Sequence, residues 1–284
     1  MIIDFRMRPP FKSFAKMGGL FGPEGSVHCF PLNGDDAWPV PSADNLDMAQ
    51  FFKEMDEAGI TKGCLLGRRS STVWSGVESA DIFELCQEYP GKFFGFGAVD
   101  VSDDIMTSLQ YVDEAKNKYK FYGMVCEPGN SATPCYADDR RLYPFYARCV
   151  ELGLIVIISM SQFLGPNISY ADPARVQTVC RDFPKGRFVI AHAGYPHVMG
   201  AIGACLAEKN LWIIPDVYWT NLKTCGRDLW TEGAIYLQGK KILFGTAYPF
   251  RGLPQSVQVM KDLHLPEKFY NRIMYENAAE LLGI

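Results

Sequence analysis

The stretch DPARVQTVCRDFPKGRFVIAHAGYP, residues 172–196, contains a complete helix, turn and strand. Asp172 can accept from a free N–H at a helix start, and Pro173 suits a first turn that needs no donor. Val176, Val179 and Cys180 fall at the spacing of one helical face, which predicts a helix over 173–182. Asp182-Phe183-Pro184 then stops it. RFVIA at 187–191 is a short apolar run rich in strand-forming residues, and it ends on His192. EYPGKFFGF at 88–96 shows the same stop and restart as DFPKGRFVI at 182–190, so this connection recurs without a tandem repeat.

Working outward, comparable runs predict strands at Ile2–Phe5, Gly63–Gly67, Phe93–Val99, Tyr122–Cys126, Leu154–Ile158, Arg187–Ala191, Leu211–Asp216 and Lys241–Gly245. Helical patterns lie between them near 46–58, 78–88, 104–118, 138–151, 173–182, 198–208, 226–237 and 266–281, with a shorter one near 254–261. Regular alternation predicts parallel strands joined by helical crossovers. Eight units predict an α/β fold, a distorted (β/α)8 TIM barrel made by a single domain over 1–284. The exception is 9–45, rich in proline and glycine and too long for an ordinary connection. It reads either as an insertion capping the barrel mouth, with Phe11, Phe14, Phe21, Phe30 and Trp38 near substrate, or as a packed surface loop.

Composition narrows the function. The chain has 284 residues, 48% of them hydrophobic, enough for a sizeable core. Lys and Arg number 28 against 32 Asp and Glu, a formal charge of -4 with no strongly basic block, which argues against a nucleic-acid partner. No apolar run reaches membrane-spanning length and no leader opens the sequence, so a cytoplasmic protein without a membrane partner is expected. The nine cysteines form no CxxC pair. Neither a phosphate loop nor a dinucleotide fingerprint is present, because MGGLFGPEG at 17–25 lacks both the spacing and the preceding strand.

In such a barrel, chemistry gathers where the carboxyl ends of the strands meet. Arg6 and Arg8 follow the first strand, and their spacing puts both guanidinium forks on one face, able to bind a carboxylate. An internal ion-pair network with Asp4, Asp100 or Glu127 is the alternative. Arg68 and Arg69 follow the second strand on alternate faces, so one of them points inward. Ser159 and Ser161 follow the fifth strand without a serine-nucleophile elbow. His192, after the sixth, is the best acid-base candidate, while His197 suits a helix start and His28 and His264 have weaker cases. Glu127 and Asp216 can accept protons, orient His192 or hold the arginines. Tyr218, Trp219 and Tyr248 suit an aromatic wall or ordinary packing, and Cys126 reads as a packed thiol.

MIIDF at the amino end, VIAHAGYP at 189–196, LFGTAYP at 243–249 and ENAAELLGI at 276–284 together resemble one family over almost the whole chain. It is the amidohydrolase-related group of aromatic decarboxylases, hydratases and lactonases. The resemblance implies a divalent metal at the barrel mouth, held by His-x-His on the first strand, a histidine on the fifth and an aspartate on the eighth. Here those positions read Arg6-Met7-Arg8, Ser159 and Ala247, and His192 matches the histidine after the sixth strand. Guanidinium groups have no lone pair for a metal, so neither a metal nor another cofactor is expected. His28, Cys29, Cys126, Glu127 and His192 are the residues from which a rebuilt site would have to come.

The leading expectation is a metal-independent hydrolase acting on a small anionic, carboxylated substrate, with cyclic and aromatic acids among the candidates. Its catalytic residues are His192, Glu127 and Asp216. Its substrate-binding residues are Arg6, Arg8, Arg68, Ser159, Tyr218, Trp219 and Tyr248. The first alternative is a non-oxidative decarboxylase of a small unsaturated or aromatic acid, and the second a non-catalytic anion-binding barrel. The outer helices leave a homo-oligomer open.

Overall fold

The computed structural model describes residues 1–22, 39–69 and 75–284. His28, Cys29, Phe30 and Trp38 lie outside the described residues. Seven strands stand in sequence order in one sheet: β1 (Ile2–Met7), β2 (Ile60–Leu66), β3 (Phe93–Ala98), β4 (Gly123–Cys126), β5 (Ile155–Ser159), β6 (Arg187–Ala191) and β7 (Leu211–Ile214). Every neighbouring pair is parallel. The helices Met48–Ala58, Ser79–Glu88, Ile105–Asn117, Tyr143–Glu151, Pro173–Asp182 and Val198–Ala207 make the crossovers. Local chemistry sets their ends: Asp47, Asp104 and Asp172 each accept a backbone N–H at a helix start. Val176, Val179 and Cys180 are buried on the inner face of Pro173–Asp182, as their spacing requires.

The eighth strand expected at Lys241–Gly245 is instead an irregular segment that still joins the two edges of the sheet. Leu243 N donates to Ile213 O at 2.9 Å on the β7 side, and Phe5 N donates to Phe244 O at 2.8 Å on the β1 side. Ala247 N to Arg6 O at 3.0 Å and Arg8 N to Tyr248 O at 3.1 Å continue the seam toward the mouth. Left-handed backbone at Lys241 (φ 67°) and Ala247 (φ 57°) breaks the strand's regular repeat. Gly245 allows the close approach, since a Cβ there would lie 2.6 Å from Ile214 Cγ2 and 3.3 Å from Arg6 Cβ. Asn277 Nδ2 donates to Gly239 O and Ile242 O, both at 2.7 Å, and so ties the last helix to the closing segment.

Alternation along the strands sorts apolar side chains into two layers. Ile155 and Ile157 of β5 cluster inside the curl with Ile3, Phe5, Leu66, Phe96, Val125 and Val189. Val156 and Ile158 belong to the layer under the crossover helices, with Phe51, Leu85 and Val179. Leu281 and Leu282 join the inner layer, and Arg187 Nη1, at the start of β6, donates to Leu281 O at 2.7 Å. The last helix therefore closes the amino-terminal end of the sheet, leaving the carboxyl end as the mouth.

The described ends of the long segment after β1 pack inward rather than over the mouth. Phe14, Met17, Leu20, Val40 and Ala43 are buried in the helix-facing layer, and Phe11 and Phe21 rest against it. Two short helices, Lys12–Ala15 and Pro41–Asp44, lie there. Among the described residues no helix is long and apolar enough to cross a membrane, and the eight described cysteines are unpaired.

Candidate active site

The site begins with an irregularity in β1. Asp4 pairs with Gly63 and Met7 with Leu65, so β1 carries one residue more than β2 across the same interval. This is a β-bulge, which re-aims the side chains beyond it. Ile3 and Phe5 point into the inner layer and Met7 into the outer one. Strict alternation from Ile3 and Phe5 would send Arg6 and Arg8 outward among the helices. Across the bulge both arginines line a cavity at the mouth.

That cavity encloses about 530 Å³, its opening to solvent included. Arg6, Arg8, Arg68, Glu127 and His192 line it together with Ser161 and the apolar or aromatic side chains of Phe163, Leu164, Val217, Tyr218 and Phe250. Arg68 Nη2 donates to Glu127 Oε2 at 2.8 Å, and Asn130 Nδ2 donates to the same oxygen at 2.9 Å. Arg6 Nη1 donates to Asp216 Oδ2 at 3.2 Å. Asp216 Oδ1 lies 3.1 Å from His192 Nδ1, and His192 N donates to Asp216 Oδ2 at 3.3 Å. Asp216, already accepting from Arg6, places the ring proton of His192 on Nδ1, which leaves Nε2 with its lone pair. Arg6 thus pairs with Asp216, and Arg68 with Glu127, one of the carboxylates named for an internal ion-pair network.

Arg8 differs from its neighbours. It is 3% exposed, yet among the described residues its guanidinium has no carboxylate within 4.0 Å. Among the described residues its Nε, like those of Arg6 and Arg68, has no hydrogen-bond partner. Burial, and then the charges of Arg6 and Arg68, push the Arg8 guanidinium well below its ordinary value. Burial likewise works to raise the Glu127 carboxyl, but Arg68, Asn130, Arg8 and Arg6 outweigh it and hold that group below its usual range. For His192, burial and the positive charge of Arg6 prevail over Asp216, so its pKa lies below 6.5 and the ring is neutral at pH 7.

The backbone bearing this pair is strained. His192 (φ 62°), Ala193 (φ 48°) and Asp216 (φ 44°, ψ -125°) occupy conformations that residues with a Cβ rarely adopt. Such positions persist only when surrounding contacts hold them, and they concentrate at functional sites. Tyr218 supports the dyad: its ring meets His192 edge-on at 5.7 Å and stacks on Tyr195 at 4.1 Å.

Not every residue expected at the mouth lines it. Tyr248 is fully buried with its hydroxyl 2.7 Å from Ser42 Oγ and its ring against Phe51, so it packs behind the wall. Its phenol needs a buried partner, and Ser42 supplies one. Trp219 is buried and donates through Nε1 to Thr231 Oγ1 at 3.1 Å, also away from the cavity. Ser159 is buried with no partner on Oγ among the described residues, whereas Ser161 lines the cavity. Phe163, Leu164, Val217 and Phe250 had no role in the sequence reading. Their only signal was position, just beyond β5, β7 and the closing segment, where apolar residues carry no distinguishing pattern.

These residues do not fit a divalent ion. Guanidinium groups stand where the first-strand ligands would be, and the nearest carboxylates are already engaged by Arg6, His192, Arg68 and Asn130. Among the described residues no group of three His, Cys, Asp or Glu side chains could hold an ion.

The amidohydrolase family model matches residues 76–284. An uncharacterised TIM-barrel protein of Bordetella bronchiseptica superposes with a TM-score of 0.88 at 31% identity, over 99% of this chain and 98% of that one. A 2,6-dihydroxybenzoate decarboxylase from Rhizobium gives 0.67 at 16% identity, over 99% and 98%. A probable 2-pyrone-4,6-dicarboxylic acid hydrolase from Acinetobacter baumannii, solved with citric acid bound, gives 0.69 at 14% identity, over 100% and 99%. The last two likenesses show the fold alone. Comparison with curated proteins gives no match.

Proposed function

We propose, from the premise that the chain belongs to the amidohydrolase family, that it removes the carboxyl group of a small aromatic or unsaturated acid as carbon dioxide, without oxidation. The observation that carries this reading is Arg8, a buried cation with no carboxylate within 4.0 Å among the described residues, in a cavity that it shares with Phe163, Leu164, Val217, Tyr218 and Phe250. A flat acid satisfies both kinds of lining: its carboxylate meets the arginines and its unsaturated body meets Phe163, Leu164, Tyr218 and Phe250.

The neutral His192 sets the order of proton transfers. For an acid carrying a conjugated hydroxyl, Nε2 takes the hydroxyl proton, and the electron pair moves toward the carbon bearing the carboxylate. The same Nε2–H delivers that proton to this carbon. The carbon–carbon bond then breaks, carbon dioxide leaves, and the bonding pair returns through the conjugated system to the oxygen. One negative charge is present at the start on the carboxylate and at the end on the oxyanion, within a cluster of three arginines throughout. Asp216 keeps the imidazole oriented and stabilises its transient positive charge. The released oxyanion takes a proton from solvent, so the sum is one carboxylate anion and one proton giving carbon dioxide and the decarboxylated product.

Decarboxylation takes precedence over the hydrolysis that leads in the sequence reading, in keeping with the decarboxylases among the structural relatives. Hydrolysis stays as a second reading because a neutral histidine backed by Asp216 also suits the activation of water. A purely ligand-binding barrel gives no reason for strained backbone at both His192 and Asp216. Incubating the protein with carboxyl-¹³C hydroxylated aromatic and unsaturated acids in ¹⁸O-water separates the readings. Labelled carbon dioxide is expected; a product that retains the carboxyl and gains ¹⁸O would assign hydrolysis instead.

A further inference from the structure

We propose that Asp4, acting with Thr246, is the positioning residue that aims Arg6 and, through Asp216, His192. Asp4 lies below the cavity and lines no part of it. Its buried carboxylate accepts from Arg6 N at 2.9 Å, from Thr246 N at 3.1 Å and from Thr246 Oγ1 at 2.6 Å. Thr246 Oγ1 accepts in turn from Tyr248 N at 3.0 Å, and so donates its own proton to Asp4. The side chain therefore clasps β1 to the closing segment at the bulge.

Geometry makes this clasp specific to Arg6. A bulge removes a residue from the regular ladder, and its backbone direction then depends on whatever binds the freed groups. Asp4 binds the N–H of Arg6, and Ala247 N binds its carbonyl at 3.0 Å, so both peptide groups flanking Arg6 are fixed by the seam. From that Cα the guanidinium reaches Asp216, which holds His192 at Nδ1. A small rotation of the Arg6 peptide would separate Arg6 from Asp216, and the ring would lose one of the two constraints on its orienting carboxylate.

Asp4→Asn preserves shape but puts an amide N–H₂ among three donors, and Thr246→Val removes the hydroxyl while preserving volume. The probe rests on the proposed function only in being a small acid: 2-hydroxybenzoate, with 2-hydroxybenzamide as its uncharged counterpart, titrated calorimetrically well below the melting temperature. If Asp4 positions the cations, both variants lose about tenfold in affinity for the acid and bind the amide as the wild type does. Equal losses for acid and amide, or none for either, would overturn the proposal, because a merely structural residue does not discriminate by ligand charge. Should the wild type bind neither ligand, the proposed function fails while the clasp remains testable in the crystal structure of Asp4→Asn. Separation of Arg6 from Asp216 there supports it, and retention of the 3.2 Å pair contradicts it.

Discussion

Replacing Arg8 by methionine removes a buried guanidinium that has no carboxylate within 4.0 Å among the described residues, while Arg68→Met would take from Glu127 its 2.8 Å ion-pair partner. The two arginines resemble each other in sequence and should behave oppositely. Arg8→Met is expected to keep or raise the melting temperature while weakening binding of a carboxylated ligand by about 1.5–3 kcal/mol. Arg68→Met is expected to destabilise the fold by about 3–5 kcal/mol, the typical result of leaving a buried charge unpaired. Thermal melts and titrations of both variants check this, and a large stability loss for Arg8→Met would remove its assigned role. His192→Gln should abolish turnover more severely than ligand binding. Because burial and Arg6 hold the His192 pKa below 6.5, the acid limb of the rate profile should lie below pH 6.5, with the rate falling as the ring becomes protonated. That Arg6, Arg8, Arg68, Glu127, His192 and Asp216 gather at one mouth was legible because each stands just after an apolar run. Their pairing was not, since which carboxylate meets which arginine depends on distances between strands far apart in sequence.

At the scale of the element, β1 and its seam decide the site. The spacing of Arg6 and Arg8 correctly puts them on one face, but nothing in IIDFRMR marks the extra residue that turns that face inward. The closing segment hides its irregularity in the same way: KILFG at 241–245 has strand-like composition, whereas left-handed φ at Lys241 and Ala247 is set by packing. Tyr248 turns behind the wall for that reason, because an irregular segment does not send its side chains to alternate faces. Gly245→Ala should open this seam, since its Cβ would collide with Ile214 and press on Arg6; a loss of about 1–3 kcal/mol in denaturant unfolding is expected. Burial also raises Asp4 from 3.8 to about 7, against the pull of Thr246 and Arg6. A group whose folded pKa is raised contributes stability that is full below its unfolded value and is lost as pH rises through the folded one. Wild-type stability should therefore fall relative to Asp4→Asn between pH 4 and about 7. Parallel curves for the two proteins over that range would contradict the assignment.

For the whole molecule, the alternation of short apolar runs and amphipathic helices was enough to predict the curled parallel sheet and its surrounding helices. Each crossover carries its own start and stop signals, so the global order follows from local chemistry. The long segment after β1 was harder to read, because Phe14 in the helix-facing layer looks the same in sequence as a phenylalanine over a ligand. Where the resemblance implies the first-strand metal ligands, the molecule places Arg6 and Arg8, and with Arg68 they supply fixed positive charge without the ability to ionise water. The proposed chemistry therefore rests on arginine electrostatics joined to a neutral histidine. Its most direct test is the rate of carbon dioxide release from a competent hydroxylated acid, measured on protein before and after exhaustive chelation. An unchanged rate is predicted. A rate abolished by chelation and restored by a divalent ion would contradict it.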